Sequence, residues 1–263
     1  YFRYSATPKL DPNVYLKVQV SSTKVAAAQG AKILVWTTTP WTLFANVALA
    51  VGPDIDYVVV RNTRTIGEAP VSETFVLAES RLSILDGDVE ILARCKGSDL
   101  VGSTYEQIFS DVELDAATYP DVLHILSGSF VTTEDGTGVV HIAPAFGQDD
   151  FELSKVFKLP VPQPVTPNGH FTDEISAIAG RAVKTFTYAD HTEEGADRDI
   201  VKALKGADKI YKAAFDYVHS YPHCWRTDNP VIYYARDSWF ITSPAYRDRL
   251  VALNKEISWH PPE

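Results

Sequence analysis

The stretch KILVWTTTPWTLFANVALAV, residues 32–51, decides how the fold is read. Ile33, Leu34, Val35 and Trp36 form a short unbroken apolar run, the pattern of a well-buried strand. The strand runs into Thr37-Thr38-Thr39 and then Pro40. Proline suits the first turn of a helix, where its φ already fits and its missing N–H has no partner to lose. Thr39 therefore stands at an N-cap position. A second reading weighs evenly with it: three hydroxyls and their amides form a cluster that binds a polar group or orients a water.

Outward from this stretch, strands outnumber helices. Val14, Leu16, Val18 and Val20 alternate with polar residues, as in a half-buried strand. Residues 56–60, 74–78, 89–94, 122–126, 138–142, 210–218 and 231–241 also read as strands. Clusters such as Gly52-Pro53-Asp54 and Pro167-Asn168-Gly169 punctuate them. Helices are expected at 149–157, behind Asp149 and Asp150, and at 197–204. A third opens at Ser243-Pro244, with Tyr246, Leu250 and Leu253 at helical spacing. The fold class is β-rich mixed α/β, an antiparallel or mixed β-barrel with peripheral helices. No internal repeat or low-complexity tract is present. The polar segment 193–212 reads as an inserted surface segment.

Composition narrows the function. The 263 residues suit one elaborated domain, and 45% hydrophobic with 22% charged residues is ordinary globular usage. Lys+Arg 24 against Asp+Glu 34 gives a net charge of −10, which argues against a stand-alone nucleic-acid binder with a basic surface. It leaves room for a nucleic-acid end delivered by a neighbouring domain. Cys95 and Cys224 are too few and too far apart for a disulfide framework, so a cytoplasmic location is expected. No membrane-spanning run or signal peptide is evident, and no membrane partner is expected. The chain has no Met and starts Tyr1-Phe2-Arg3, which reads as a piece of a larger protein.

Several segments could carry chemistry. Gly136-Thr137-Gly138 lacks the third glycine of a dinucleotide fingerprint and any following Gly-Lys-Ser/Thr, so a hairpin turn is the simpler reading. His219, His223 and Cys224 have metal-like spacing but no fourth ligand, and Thr227 stands where a second cysteine would complete Cys-x-x-Cys. Packed strand-edge residues are the simpler reading, and no metal or cofactor is expected. Asp149-Asp150 after Gly147 either compensates a helix dipole or leaves a carboxylate to bind a cation such as a substrate ammonium. His141 lies on a strand leading into the same loop; alone, it is more often a satisfied histidine than a catalyst.

Taken together, these segments resemble the editing domain of isoleucyl-tRNA synthetases. VWTTTPWTLFANVALAV (35–51) is similar to its threonine-rich segment and GTGVVHIAPAFGQDDF (136–151) to its second signature. YPHCWRTDNPVIYYARDSWFI (221–241) resembles the stretch that returns to the synthetase core. The order matches over nearly the whole chain. The valyl and leucyl relatives carry different letters after the threonines. The resemblance implies a β-barrel domain, residues 1–263, inserted in a Rossmann-type synthetase core, with 236–263 as the return segment.

The implied activity is hydrolysis of tRNA-Ile mischarged with valine, and of valyl-adenylate. The partners are the 3′ acceptor end of that tRNA and the catalytic core of the same chain. A synthetic pocket separates isoleucine from valine by only about 1–3 kcal/mol, a limit for which this same enzyme family is the standard worked example and which double-sieve editing overcomes. Asp150 falls on the carboxylate that holds the α-ammonium, and Thr37, Thr38 and Thr39 on the hydroxyl cluster around the scissile ester. Trp41, Thr42 and Asn46 fall on pocket-lining positions, and His141 on the residue that limits side-chain size. Gly138 closes the turn before the His141 strand and is assigned to the substrate side. Phe44 and Thr227 depart from the pattern, replacing a proline and a cysteine. Alternatives are a valyl-type domain that clears threonine, and a non-catalytic module that only binds the acceptor end.

Overall fold

The structure is a computed structural model that describes residues 2–4 and 9–260. The chain opens with β1 (Phe2–Tyr4), β2 (Lys9–Ser22), β3 (Lys32–Thr37) and β4 (Ala48–Val51). β5 (Asp56–Ile66), β6 (Ala69–Ala78) and β7 (Asp88–Lys96) follow, then a one-turn helix α1 (Gly97–Leu100). Next come β8 (Thr104–Tyr105), β9 (Ile125–Ser127), β10 (Val139–Ile142) and α2 (Gln148–Phe157). The last third holds β11 (Phe186–Thr187), β12 (Thr192–Glu193), α3 (Asp197–Gly206), β13 (Ile210–His219), β14 (Pro222–Cys224) and α4 (Arg247–Glu256).

The main sheet runs β13-β2-β3-β6-β5-β7, with β8 added on β2. It is mixed: β3 and β6 are parallel, and the other pairs are antiparallel. A three-stranded sheet has β4 at its centre, with β10 antiparallel on one side and β9 parallel on the other. β10 also packs against β3, and the sheets curl into a half-barrel. The expected β-rich mixed architecture with peripheral helices is the one observed.

The two-residue period of a strand explains where the core lies. On β3, Ile33 and Val35 enter the main cluster while Leu34 enters a smaller one on the opposite face. β5 and β6 repeat the division, Val59 and Val76 on one side and Val58, Phe75 and Leu77 on the other. These strands are covered on both faces, which is why their sequences are almost continuously apolar. On β4, Leu49 and Val51 join the main cluster and Ala48 and Ala50 a second one beneath α2. The threonine loop thus hangs between two strands with both faces buried.

Three expectations need correction. Residues 122–124 form no regular strand: Leu123 takes a left-handed φ of 58°, its N–H donates to the Val47 carbonyl, His124 makes only an isolated bridge to Thr104, and the strand starts at Ile125. Residues 231–241 have no strand partner among the described residues and no regular structure; single bonds such as Ala235 N–H to the Ala145 carbonyl hold them instead. The Gly136–Gly138 turn is not a hairpin, because β9 and β10 flank β4 on opposite sides.

Both remaining helices lie where the pattern places them. In the 193–212 segment, α3 sends Ile200, Val201 and Leu204 into the main cluster and its charged side to solvent. α4 buries none of its residues. Among the described residues, no helix is long and apolar enough to cross a membrane.

Candidate active site

β3 alternation turns Thr37 inward, where it is buried, and leaves Thr38 and Thr39 half-buried at the strand end. The Thr39 N–H donates to Thr37 Oγ1 at 3.1 Å, which folds the chain back. Pro40–Ala45 then forms a 3-10 helix with Thr39 at its N-cap position. The Thr39 hydroxyl does not cap it. Its carbonyl instead accepts the Thr42 N–H at 3.0 Å and the Thr42 hydroxyl at 2.8 Å. The Thr39 hydroxyl therefore stays with its neighbours, 3.4 Å from Thr37 Oγ1 and 3.5 Å from Thr42 Oγ1. The cluster anticipated from sequence is a linked row of three hydroxyls, with Thr42 as the third member and Thr38 beside it.

The second signature meets the first through His141. On β10 it pairs with Leu49 of β4, and its Nε2 lies 3.1 Å from Thr42 Oγ1. The single Thr42 hydroxyl proton goes to the Thr39 carbonyl, so toward His141 this oxygen accepts. That makes Nε2 the protonated nitrogen and leaves Nδ1 as a buried acceptor without a partner among the described residues. Burial pushes the imidazole down to about 4, so it is neutral at physiological pH.

Asp150 is in the first turn of α2, and its carboxylate reaches back to accept the Ala143 N–H at 2.8 Å. This closes residues 143–150 into a compact loop. Gly147, the N-cap residue, makes room for it: a Cβ there would sit 2.7 Å from Asp150 Oδ2. Burial raises the Asp150 carboxyl to about 6, against the pull of the Ala143 N–H; Asp149 adds to the rise. Asp149 itself is exposed, so the two adjacent acids are clearly different in environment.

Other positions assigned from sequence divide between pocket and scaffold. Trp41 is buried, edge-on to Phe146 at 4.9 Å, and its indole N–H has no partner among the described residues. Asn46 is committed inward: Nδ2 donates to the Ala48 carbonyl at 2.9 Å and Oδ1 accepts the Tyr105 hydroxyl at 2.7 Å. Gly138 has φ +75° and abuts Ala78, where a Cβ would come within 2.5 Å, and its carbonyl accepts the Tyr57 hydroxyl. Asn46 and Gly138 are thus tied into the surrounding strands. Phe44, within the 3-10 turn, stacks on Phe109 at 4.1 Å and meets Phe171 edge-on at 5.4 Å. Phe109 and Phe171 carry no sequence signal beyond being aromatic, whereas Phe146 lies within the second signature.

The His219–Cys224 segment is occupied otherwise. His219 Nε2 bonds Asp11 at 2.7 Å and His223 Nδ1 donates to the Asp228 carbonyl at 2.7 Å. A hydrogen bond from Thr227 leads the interactions that lower the Cys224 thiol to about 7. Among the described residues, no three His, Cys, Asp or Glu side chains are grouped to hold a metal.

No protein-family model matches the chain. The isoleucine–tRNA ligase of Clostridium acetobutylicum is 41% identical over 238 residues, 90% of this chain and 21% of the ligase. That of Thermobifida fusca is 40% identical over 253 residues, 95% of this chain and 22% of the ligase. The chain belongs to the isoleucyl-tRNA synthetase family. It spans only about a fifth of the length of these relatives. The leucyl-tRNA synthetase domain GlLeuRS-CP1 superposes on 77% of this chain and 99% of its own length, TM-score 0.52 at 14% identity, a likeness of fold. The threonine-rich and histidine-bearing segments thus sit on a fold like that of GlLeuRS-CP1.

Proposed function

We propose that this chain is the editing domain of a longer synthetase and that it hydrolyses the ester of valine on tRNA-Ile, and valyl-adenylate. The observation that carries the reading is the meeting of the two signatures at Thr42 and His141, 3.1 Å apart, with the half-buried Asp150 carboxylate closing the same loop. Hydroxyls, a neutral imidazole and one carboxylate suit ester hydrolysis by a positioned water. The described arrangement pairs no Ser or Cys nucleophile with a base, so no covalent intermediate is invoked.

In this reading Asp150 binds the substrate α-ammonium. The Thr37–Thr39 hydroxyls and nearby amides orient the ester and the attacking water, helped by a ribose hydroxyl of the tRNA. Trp41 and Thr42 line the side-chain pocket. His141, held by Thr42 and neutral, is a wall: isoleucine is refused because its extra methylene has no room, overpacking costing about 1–3 kcal/mol. The catalytic core of the same chain delivers the acceptor end.

A non-hydrolysable valyl-adenosine analogue tests the site directly. By calorimetry it should bind the wild-type chain and bind Asp150→Ala at least about tenfold more weakly, one decade being about 1.4 kcal/mol. Equal binding to both proteins would remove Asp150 from the site and the reading with it.

A further inference from the structure

The stretch 231–242 has no regular structure, yet two of its residues are stitched to the site. The Ala235 N–H donates to the Ala145 carbonyl at 2.8 Å, inside the loop that Asp150 closes. The Ala235 carbonyl accepts Gln163 Nε2 at 2.5 Å. The Tyr234 hydroxyl donates to the Val165 carbonyl at 2.9 Å, and its ring lies 6.2 Å from that of Phe146. Phe146 in turn carries Trp41 edge-on. Beyond this point Trp239, Phe240 and Ile241 are almost wholly exposed, and α4 buries nothing. Among the described residues, the segment 235–260 is therefore anchored at one place, and that place is the back of the candidate site.

We propose that Tyr234 and Ala235 are a latch that positions the Ala143–Asp150 loop, and through Phe146 the Trp41 side chain. Tyr234 is a positioning residue: it acts through Phe146 and the loop. The Ala145 carbonyl and the Ala143 N–H belong to the same short loop, so a shift of one displaces the carboxylate held by the other. The inference rests on the proposed editing function for its consequence in catalysis, but the latch itself is a matter of loop order. Displacements of about 1 Å at a positioned site cost on the order of a hundredfold in rate. Movement of the exposed segment after Ala235 thereby reaches the editing site directly.

The test compares the wild-type chain with Tyr234→Phe, Tyr234→Ala and Trp239→Ala. Amide hydrogen exchange over 143–150 should quicken at least about tenfold in Tyr234→Ala, with β5 and β6 unchanged. Tyr234→Phe, which keeps the ring on Phe146, should restore most of the protection, and Trp239→Ala should match wild type. In deacylation of Val-tRNA-Ile, Tyr234→Ala should lose about tenfold in kcat/KM, and Tyr234→Phe under threefold. Unchanged loop exchange in Tyr234→Ala overturns the latch whatever the activity. Loosened exchange with full activity overturns its positioning role. A wild-type chain without deacylation defeats the proposed function, while the exchange arm still decides the latch.

Discussion

Asp150 is a carboxylate kept near its protonation point by burial, and two consequences follow at this single residue. Its folded pKa is raised to about 6, so between the ordinary carboxylate value and 6 the native state holds more protons than the unfolded state. Stability attributable to it therefore falls as pH rises through that window, and the full penalty is present above 6. Asp150→Asn should stabilise the chain at pH 7.5 by about 1–3 kcal/mol, one unit being about 1.4, with most of the gain gone at pH 4. Urea unfolding at the two pH values checks this; a destabilised variant at pH 7.5 would contradict it. Function should respond oppositely. The ammonium needs the ionised carboxylate, so kcat/KM for Val-tRNA-Ile should fall on the acid side with a midpoint near 6. His141, lowered to about 4, is neutral near pH 6 and does not supply that limb. Asp150→Ala should cost at least about a hundredfold, by leaving the cation unpaired. His141→Ala should open the wall, giving hydrolysis of Ile-tRNA-Ile while Val-tRNA activity survives in part. Loss of Val-tRNA activity with no gain on Ile-tRNA would move the wall to Thr42 or Trp41.

The elements show what sequence alone makes legible. β3, β10 and α2 could be read because each is governed by local pattern: an apolar run, an alternation, two acids behind a glycine. The threonine cluster was legible in composition but not in geometry. Whether Thr39 caps with its hydroxyl or its carbonyl depends on Thr42 turning back, and Thr42 turns back beside a histidine 99 positions away. The resemblance puts Asn46 on a pocket-lining position; its bond to Tyr105 was not legible, because Tyr105 lies on a distant strand that no local pattern links to it. The 231–241 stretch read as a strand from its apolar content, but an extended segment becomes one only beside a free sheet edge. Phe44 is buried, stacked on Phe109 and edge-on to Phe171, so Phe44→Ala should destabilise the domain by about 3–5 kcal/mol. Thermal and urea unfolding check that figure. A loss under about 1 kcal/mol would show the stack to be incidental.

For the molecule as a whole, charge and connectivity divide the labour. A net charge of −10 opposes a phosphate backbone, so this chain should bind tRNA no tighter than about 10⁻⁴ to 10⁻⁶ M near physiological salt. The rest of the synthetase must supply the electrostatic attraction, consistent with a chain that spans about a fifth of its relatives. A nanomolar affinity of the isolated chain at that salt would contradict this division. The central claim, that the signatures joined at Thr42 and His141 form a site selective for valine over isoleucine, is tested most directly by deacylation. Val-tRNA-Ile and Ile-tRNA-Ile are each incubated with the full-length synthetase, wild type and Asp150→Ala, and ester loss is timed. Valine should be released rapidly and isoleucine left on its tRNA, with valine release at least about a hundredfold slower in Asp150→Ala. Equal rates on both esters, or valine release indifferent to Asp150, would contradict it.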